Sequence, residues 1–233
     1  MVHDDTGALV AVAVDGPSGS GKSSTARGVA SRLGWNYVDT GAMYRAITWW
    51  LLREGVDVTD TAEVARRASD PTLDVSVDPA ARAVFVEGVD VSDEIRDPAV
   101  TAAVSAVSAV AEVRERLVAV QREVMERGPV VVEGRDIGTV VARDAAVKVF
   151  LVASTEARAE RRAAEWAEEH RVSVTDTAEL LDRRDHLDST RELSPLTQAD
   201  DAVLIDSTLL SLDEVIDRVV SLVHARLPAY SIS

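Results

Sequence analysis

Gly16-Pro17-Ser18-Gly19-Ser20-Gly21-Lys22-Ser23 constrains this chain more than any other segment. It satisfies G-x-x-x-x-G-K-[ST], follows the apolar run Ala8 to Val14, and opens a segment, Ser23 to Leu33, patterned as a helix. Strand, glycine-rich loop and helix in that order build a phosphate cradle. Glycines let backbone N–H groups wrap an anion, and the helix N-terminus adds the positive end of its dipole. Lys22 has the reach for the β- and γ-phosphates of a nucleoside triphosphate, and the Ser23 hydroxyl is the expected ligand for Mg²⁺.

The rest of the chain supplies what such a loop needs around it. Apolar runs of strand length recur at Trp35 to Val38, Val130 to Val132, Val147 to Val152 and Val203 to Ile205. Their character is continuous rather than alternating, which marks strands buried on both faces of a parallel sheet covered by helices. Helices are expected over Tyr44 to Arg53, Asp60 to Ser69, Ala99 to Arg127, Thr155 to His170 and Leu212 to Arg226, the last opened by a capping box of Ser211 and Glu214. Between Leu73 and Val91 the period switches to two, with Asp-Pro and Glu-Gly turn signals, so a small antiparallel meander is expected there as an appendage.

Composition narrows the class. With 233 residues, 46% hydrophobic and 28% charged, the chain has the balance of a folded globular protein and the length for one compact domain with a small insertion. No apolar run approaches the ~20 residues that span a bilayer, and the opening MVHDDTGA has no secretory pattern, so a cytoplasmic protein without a membrane partner is expected. The absence of cysteine removes disulfides, thiolate metal sites and cysteine nucleophiles together. A net charge of −15 opposes a nucleic-acid partner. Lys22 and Lys148 are the only lysines, so nearly all positive charge is arginine, a guanidinium suited to bidentate grip on phosphate. His3, His170, His186 and His224 show no metal-ligand spacing.

The loop is shared by kinases, GTPases and ATPase motors, and other segments separate them. Neither lysine stands in an N-K-x-D guanine-reading motif. A motor's apolar strand ends in an acidic Mg²⁺ anchor, whereas Val130 to Val132 runs into Glu133-Gly134-Arg135-Asp136, where an arginine beside a carboxylate suits a second anionic substrate. Asp39-Thr40-Gly41-Ala42-Met43-Tyr44-Arg45 puts a carboxylate, a hydroxyl and an arginine at a strand's carboxyl end, where open α/β sheets bind ligands. A small-molecule kinase is the remainder.

With these segments in view, the chain resembles the bacterial cytidylate kinases among the nucleoside monophosphate kinases. The resemblance rests on DGPSGSGKSS from Asp15, DTGAMYR from Asp39, VSDEIRDP from Val91, VRERL from Val113, EGRDIGTVV from Glu133, RRDHLDSTR from Arg183 and LIDST from Leu204. It implies a five-stranded parallel sheet with helices on both faces, the P-loop NTPase fold, carrying a small antiparallel β insert and a short helical lid. The core would be residues 1–70 and 105–233 with the lid about 155–190, and 71–104 would be the monophosphate-binding insert. The implied reaction is ATP-dependent phosphorylation of CMP and dCMP to the diphosphates, by a monomer acting on small nucleotides. Gly16 to Ser23 with Ser24, Arg158 and Arg162 would hold ATP, and Ser23 the Mg²⁺. Thr40, Arg45, Ser105, Arg114, Arg135, Asp136, Arg184, Asp188 and Arg191 would hold CMP, with Lys22, Arg45, Arg135 and Arg184 stabilising the transferred charge. Thr40 stands where some family members have serine. A charge-paired solvated helix is the alternative for Arg158, Arg161 and Arg162 with Glu165, Glu168 and Glu169. A kinase for another acceptor such as UMP or shikimate, and a nucleotide-dependent regulatory switch, are the competing functions.

Overall fold

The computed structural model describes residues 2–166 and 174–230. Five parallel strands form its centre: β1 (Leu9–Asp15), β2 (Asn36–Asp39), β6 (Val130–Gly134), β7 (Ala145–Val152) and β8 (Val203–Asp206). Their order is β2-β6-β1-β7-β8, so the chain leaves β1 in one direction for β2 and β6 and returns to its other side for β7 and β8. Such a reversal opens a crevice beyond the carboxyl end of β1, where open α/β sheets place ligands.

Both faces of the sheet are buried at its centre, along β1 and β6, as continuous apolar strands require. The edge strand β8, expected to be buried on both faces, is not, since its Leu204 is 56% exposed. Along β1, Leu9, Ala11 and Ala13 face one core and Val10, Val12 and Val14 the other. The first core is closed by α2 (Thr40–Arg53), α4 (Pro98–Ser108) and α5 (Ala111–Met125), the second by α1 (Lys22–Leu33) and α8 (Leu212–Arg226). At ~1.5 to 3 kcal/mol for each fully buried aliphatic side chain, these two layers hold the sheet rigid beneath the loops at its end. The capping box at α8 forms in full, with Ser211 and Glu214 each accepting from the other's backbone N–H.

The meander is present as a separate antiparallel sheet of β3 (Leu73–Val75), β4 (Val84–Val86) and β5 (Val89–Asp90). Glu87 and Gly88 both take positive φ between β4 and β5, the mirror-image turn that matches strand twist in a tight hairpin. Val84 and Val86 face the first core, which docks the small sheet onto α2. The short helix α3 (Thr61–Arg67) precedes it.

Two expectations need correction. The helix read over Ala99 to Arg127 is broken at Val110, which adopts an extended backbone and separates α4 from α5. No glycine or proline marks the break; the new direction lets Arg114 donate to the Ser108 carbonyl and reach Asp136. A helix not read from the pattern, α7 (Val174–Thr190), follows α6 (Thr155–Trp166). Its densely charged DRRDHLD run gives little amphipathic signal, because Arg184, Asp185 and Asp188 turn inward while Asp182, Arg183, His186 and the apolar Leu187 are exposed. Of the helix expected over Thr155 to His170, the last part lies outside the described residues, as do Glu168 and Glu169 and the side chain of Glu165.

Candidate active site

The phosphate loop occupies the crevice at the end of β1. Gly21, in the left-handed region at φ 91°, turns the loop into α1. Gly16 allows the loop to pass the neighbouring strand, since a Cβ there would stand 2.1 Å from the Leu151 carbonyl oxygen. Lys22 is buried and folds over the loop, its Nζ donating to the Pro17 carbonyl at 2.6 Å. Burial, then Arg135, hold the ammonium well below its ordinary pKa, a stress that an incoming anion would relieve.

Beside the loop stands a carboxylate whose role was missed in the sequence. Glu133, at the end of β6, accepts from the Ser23 hydroxyl at 2.9 Å and from the Tyr37 hydroxyl. It occupies the place of the acidic anchor that the sequence reading assigned to motors; the apolar strand ending in Glu was its signal. Burial, followed by the nearby Asp39, pushes the Glu133 carboxyl up to about 7. Ser23, Tyr37 and Asp39 line one cleft. A buried carboxylate with no cation in contact among the described residues, beside a hydroxyl and a second carboxylate, offers the hard oxygen donors that Mg²⁺ takes.

On the other side of the crevice, a pocket is lined by Thr40, Tyr44, Ser105, Arg114, Arg135, Asp136, Arg184, Asp188 and Arg191. At one end Asp136, buried, accepts from Arg114, while its second oxygen lies 3.7 Å from the Arg191 guanidinium. The Arg114 guanidinium also lies 5.6 Å from the Tyr44 ring centroid. Asp15, the last residue of β1, fixes this end by accepting from the backbone N–H of Ile137 and of Gly138, each at 2.8 Å. Those two bonds anchor the short π-helical turn that follows Asp136, so the strand carrying the phosphate loop also sets the position of Asp136.

At the other end the pocket is cationic. Arg135 donates to Asp188 at 2.9 Å; burial opposes its charge, but Asp188, Asp185 and Glu133 outweigh it and raise its pKa. Arg184 has no such partner in contact among the described residues. Burial, then Arg135 and Arg45, depress its pKa to about 9, and its buried Nε lacks a hydrogen bond. Arg45 donates to the Ile95 carbonyl at 3.1 Å and to the Thr101 hydroxyl at 2.9 Å, and burial, then Arg162, bring it down to about 10. Lys22, Arg45, Arg135, Arg162 and Arg184 thus feel one another's charge in a chain whose net charge is −15. A concentration of cations like this, offset in part by Asp188, suits anionic ligands.

Other residues singled out in the sequence have different partners. The Thr40 hydroxyl donates to the Glu133 carbonyl at 2.7 Å. The Arg158 guanidinium is directed at the phosphate loop's own backbone, donating to the Ser18 carbonyl at 3.0 Å. Arg161 donates to the Ser207 carbonyl at 2.6 Å, and Ser207 in turn donates to the Ser20 carbonyl at 3.2 Å. Among the described residues no group of three or more His, Asp or Glu is placed to hold a metal on its own, and no helix is long and apolar enough to cross a membrane.

A phosphate loop on β1 facing an arginine-lined second pocket across the switch point defines a P-loop kinase acting on a phosphate-bearing acceptor. The cytidylate kinase family model matches residues 12–225, and the chain belongs to that family. It is an enzyme of the nucleoside monophosphate kinase group. A cytidylate kinase of Streptomyces griseus is 52% identical, covering 93% of this chain and 94% of its own. One from Rhodococcus opacus is 54% identical over 92% of this chain and 95% of its own. An uncharacterised protein of Eubacterium ventriosum shares the fold at a TM-score of 0.51 with 12% identity, covering 94% of this chain and 99% of that one.

Proposed function

We propose that this site transfers the γ-phosphoryl group of ATP to CMP or dCMP, giving the diphosphate and ADP. The observation that carries the reading is the polarity of the acceptor pocket: a paired carboxylate and guanidinium, Asp136 and Arg114, at one end and buried arginines beside Lys22 at the other. Cytosine offers a donor at N4 and acceptors at N3 and O2, which an oxygen of Asp136 and the guanidinium groups of Arg114 and Arg191 complement. Uracil reverses the first two. Ser105 lines the same end.

Phosphoryl transfer leaves the protein mainly positioning and charge stabilisation to do. An acceptor phosphate oxygen, already ionised at neutral pH, attacks the γ-phosphorus; the bond to the β-bridging oxygen breaks, and no proton need move. Lys22, Arg45, Arg135 and Arg184 would hold the charge spread between the two nucleotides, with Arg162 as the lid contribution. Gly16 to Ser24 would cradle the ATP phosphates. Mg²⁺, bound by Ser23 with Glu133 and Asp39 around it, would neutralise phosphate charge. Residues 71–104 would act as the acceptor-side insert and 155–190 as the lid, and their closure would exclude water. We further propose that the enzyme works as a cytoplasmic monomer on small nucleotides, with no nucleic-acid or membrane partner; the net charge of −15 supports the exclusion of nucleic acid.

A coupled ADP-release assay with Mg²⁺-ATP and a panel of CMP, dCMP, UMP, AMP and shikimate tests the reading. CMP and dCMP should be the preferred acceptors. Preference for another acceptor, or ATP hydrolysis indifferent to all of them, overturns it.

A further inference from the structure

Resting on the proposed two-nucleotide reaction, a side-chain ring at the tip of the phosphate loop has a role of its own. Asp185, on α7, accepts from the backbone N–H of Ser18 at 2.9 Å through one carboxylate oxygen. Its other oxygen takes the Arg158 guanidinium, and the same Nη1 of Arg158 donates to the Ser18 carbonyl at 3.0 Å. Both polar backbone groups of one loop residue are therefore held by a single ion pair, closing a ring from Ser18 through Asp185 and Arg158 back to Ser18. Arg158 is 6% exposed, so the ring is largely shielded from water and little screened. Gly19, next in the loop, takes a positive φ of 76°, and a Cβ there would press to 3.2 Å on the Arg158 Cβ and carbonyl oxygen.

What makes the ring more than a brace is the helix on which Asp185 stands. Arg184 and Asp188 lie one turn apart on α7, Arg191 follows just past its end, and all three line the acceptor pocket. Asp185 lies about 100° further round the helix from Arg184, which turns it to the donor loop. One helix thus meets the donor site through Asp185 and the acceptor site through Arg184 and Asp188, with Arg191 directly after it. Phosphates settling into the loop and an acceptor settling against α7 each favour the same placement of that helix.

We propose that Asp185 couples the donor and acceptor sites by joining the phosphate loop to α7. Coupling between two sites is reciprocal and is typically 5- to 150-fold in affinity. Asp185 is a positioning residue in this scheme, acting through α7 rather than on either nucleotide.

Calorimetric titration of CMP into the full-length protein, with and without a saturating non-hydrolysable ATP analogue and Mg²⁺, reads the coupling directly. Wild type should bind CMP at least about fivefold more tightly with the analogue present. Asp185→Asn retains an oxygen for Ser18 N–H but loses the charge that holds Arg158, so its coupling should fall to within about twofold of unity, while each nucleotide alone binds within about threefold of wild type. Arg158→Lys should lose the coupling likewise, whatever it does to ATP affinity alone, and serves if the asparagine variant does not fold. Asp182→Asn removes an exposed partner 3.5 Å from the same arginine and should leave the coupling intact. Wild-type coupling persisting in both Asp185→Asn and Arg158→Lys overturns the proposal, as does equal loss of both binary affinities with coupling retained. CMP kinase activity of the wild type, measured in parallel, separates the two readings: an active enzyme without coupling overturns this inference alone, and an inactive one overturns both.

Discussion

Replacing Asp136 with asparagine changes one property of the acceptor pocket, the hydrogen-bonding sense presented to the base. Asp136 gives one oxygen to the buried Arg114 and turns the other toward Arg191, whose buried Nη2 has no hydrogen-bond partner at 3.7 Å. Asparagine has a single acceptor, and the Arg114 guanidinium, itself buried, claims it. The amide NH₂ is then left facing the pocket, a donor where the wild type has an acceptor. The N4 amino group of cytosine loses a charged hydrogen bond and meets a donor, whereas O4 of uracil gains a partner. A hydrogen bond to a charged group contributes ~1.5 to 3 kcal/mol, so kcat/KM for CMP should fall roughly 10- to 150-fold. UMP should hold or improve, narrowing the CMP/UMP ratio by at least about tenfold. Alanine is the poorer probe, because stripping the partner from a buried arginine costs about 3 to 5 kcal/mol of stability and confuses folding with recognition. The assay is coupled ADP release with both acceptors for wild type and variant, alongside thermal melts. A folded variant with an unchanged CMP/UMP ratio would remove Asp136 from base reading.

Further expectations follow from the same geometry. Lys22→Ala should lower kcat by ~10²- to 10³-fold with native circular dichroism, and near-normal turnover would refute its place on the transferred charge. Thr101→Val deletes the 2.9 Å acceptor for Arg45 and should raise KM for the acceptor about fivefold at ~1 kcal/mol, leaving ATP affinity unchanged; equal effects on both nucleotides would contradict it. Asp15 has its pKa raised to about 6, chiefly by burial, against roughly 3.9 in the unfolded chain. The folded chain therefore takes up that proton more readily, and this stabilisation, about 3 kcal/mol, is full below about pH 3.9 and lost as the pH rises through about 6. Asp15→Asn should remove that fall, so urea unfolding midpoints at about pH 4 and about pH 7 should differ less in the variant than in wild type, and identical differences would sink the assignment.

How much of this was readable in the residue order depends on the range of the interactions involved. The phosphate loop was legible because its chemistry is local: glycines, lysine and serine adjacent in sequence are adjacent in space. The central strands were legible because burial on both faces leaves a continuous apolar run, the edge strand β8 because its short run is apolar although Leu204 is exposed, and the meander because its period and its Glu87-Gly88 turn are local too. Thr40, Arg135 and Asp136 were legible from their places at strand ends, whereas Ser105, Arg114, Arg184, Asp188 and Arg191 came through resemblance to a family, and no spacing within the chain announces that all of them share one pocket. The break at Val110 carries no turn residue and is settled by where Arg114 finds its partners. Helix α7 lacks an apolar stripe because charged residues, Arg184, Asp185 and Asp188, take up its inward face while Leu187 is exposed. Glu133, Asp15 and Asp185 read as ordinary acidic residues until the fold brings them against Ser23, the turn after Asp136 and Ser18, across separations of 110, 122 and 167 residues. Neighbours in sequence determine backbone conformation and burial pattern, whereas the charge state and partners of a buried group are set by whatever distant chain closes over it, and that only the tertiary structure decides.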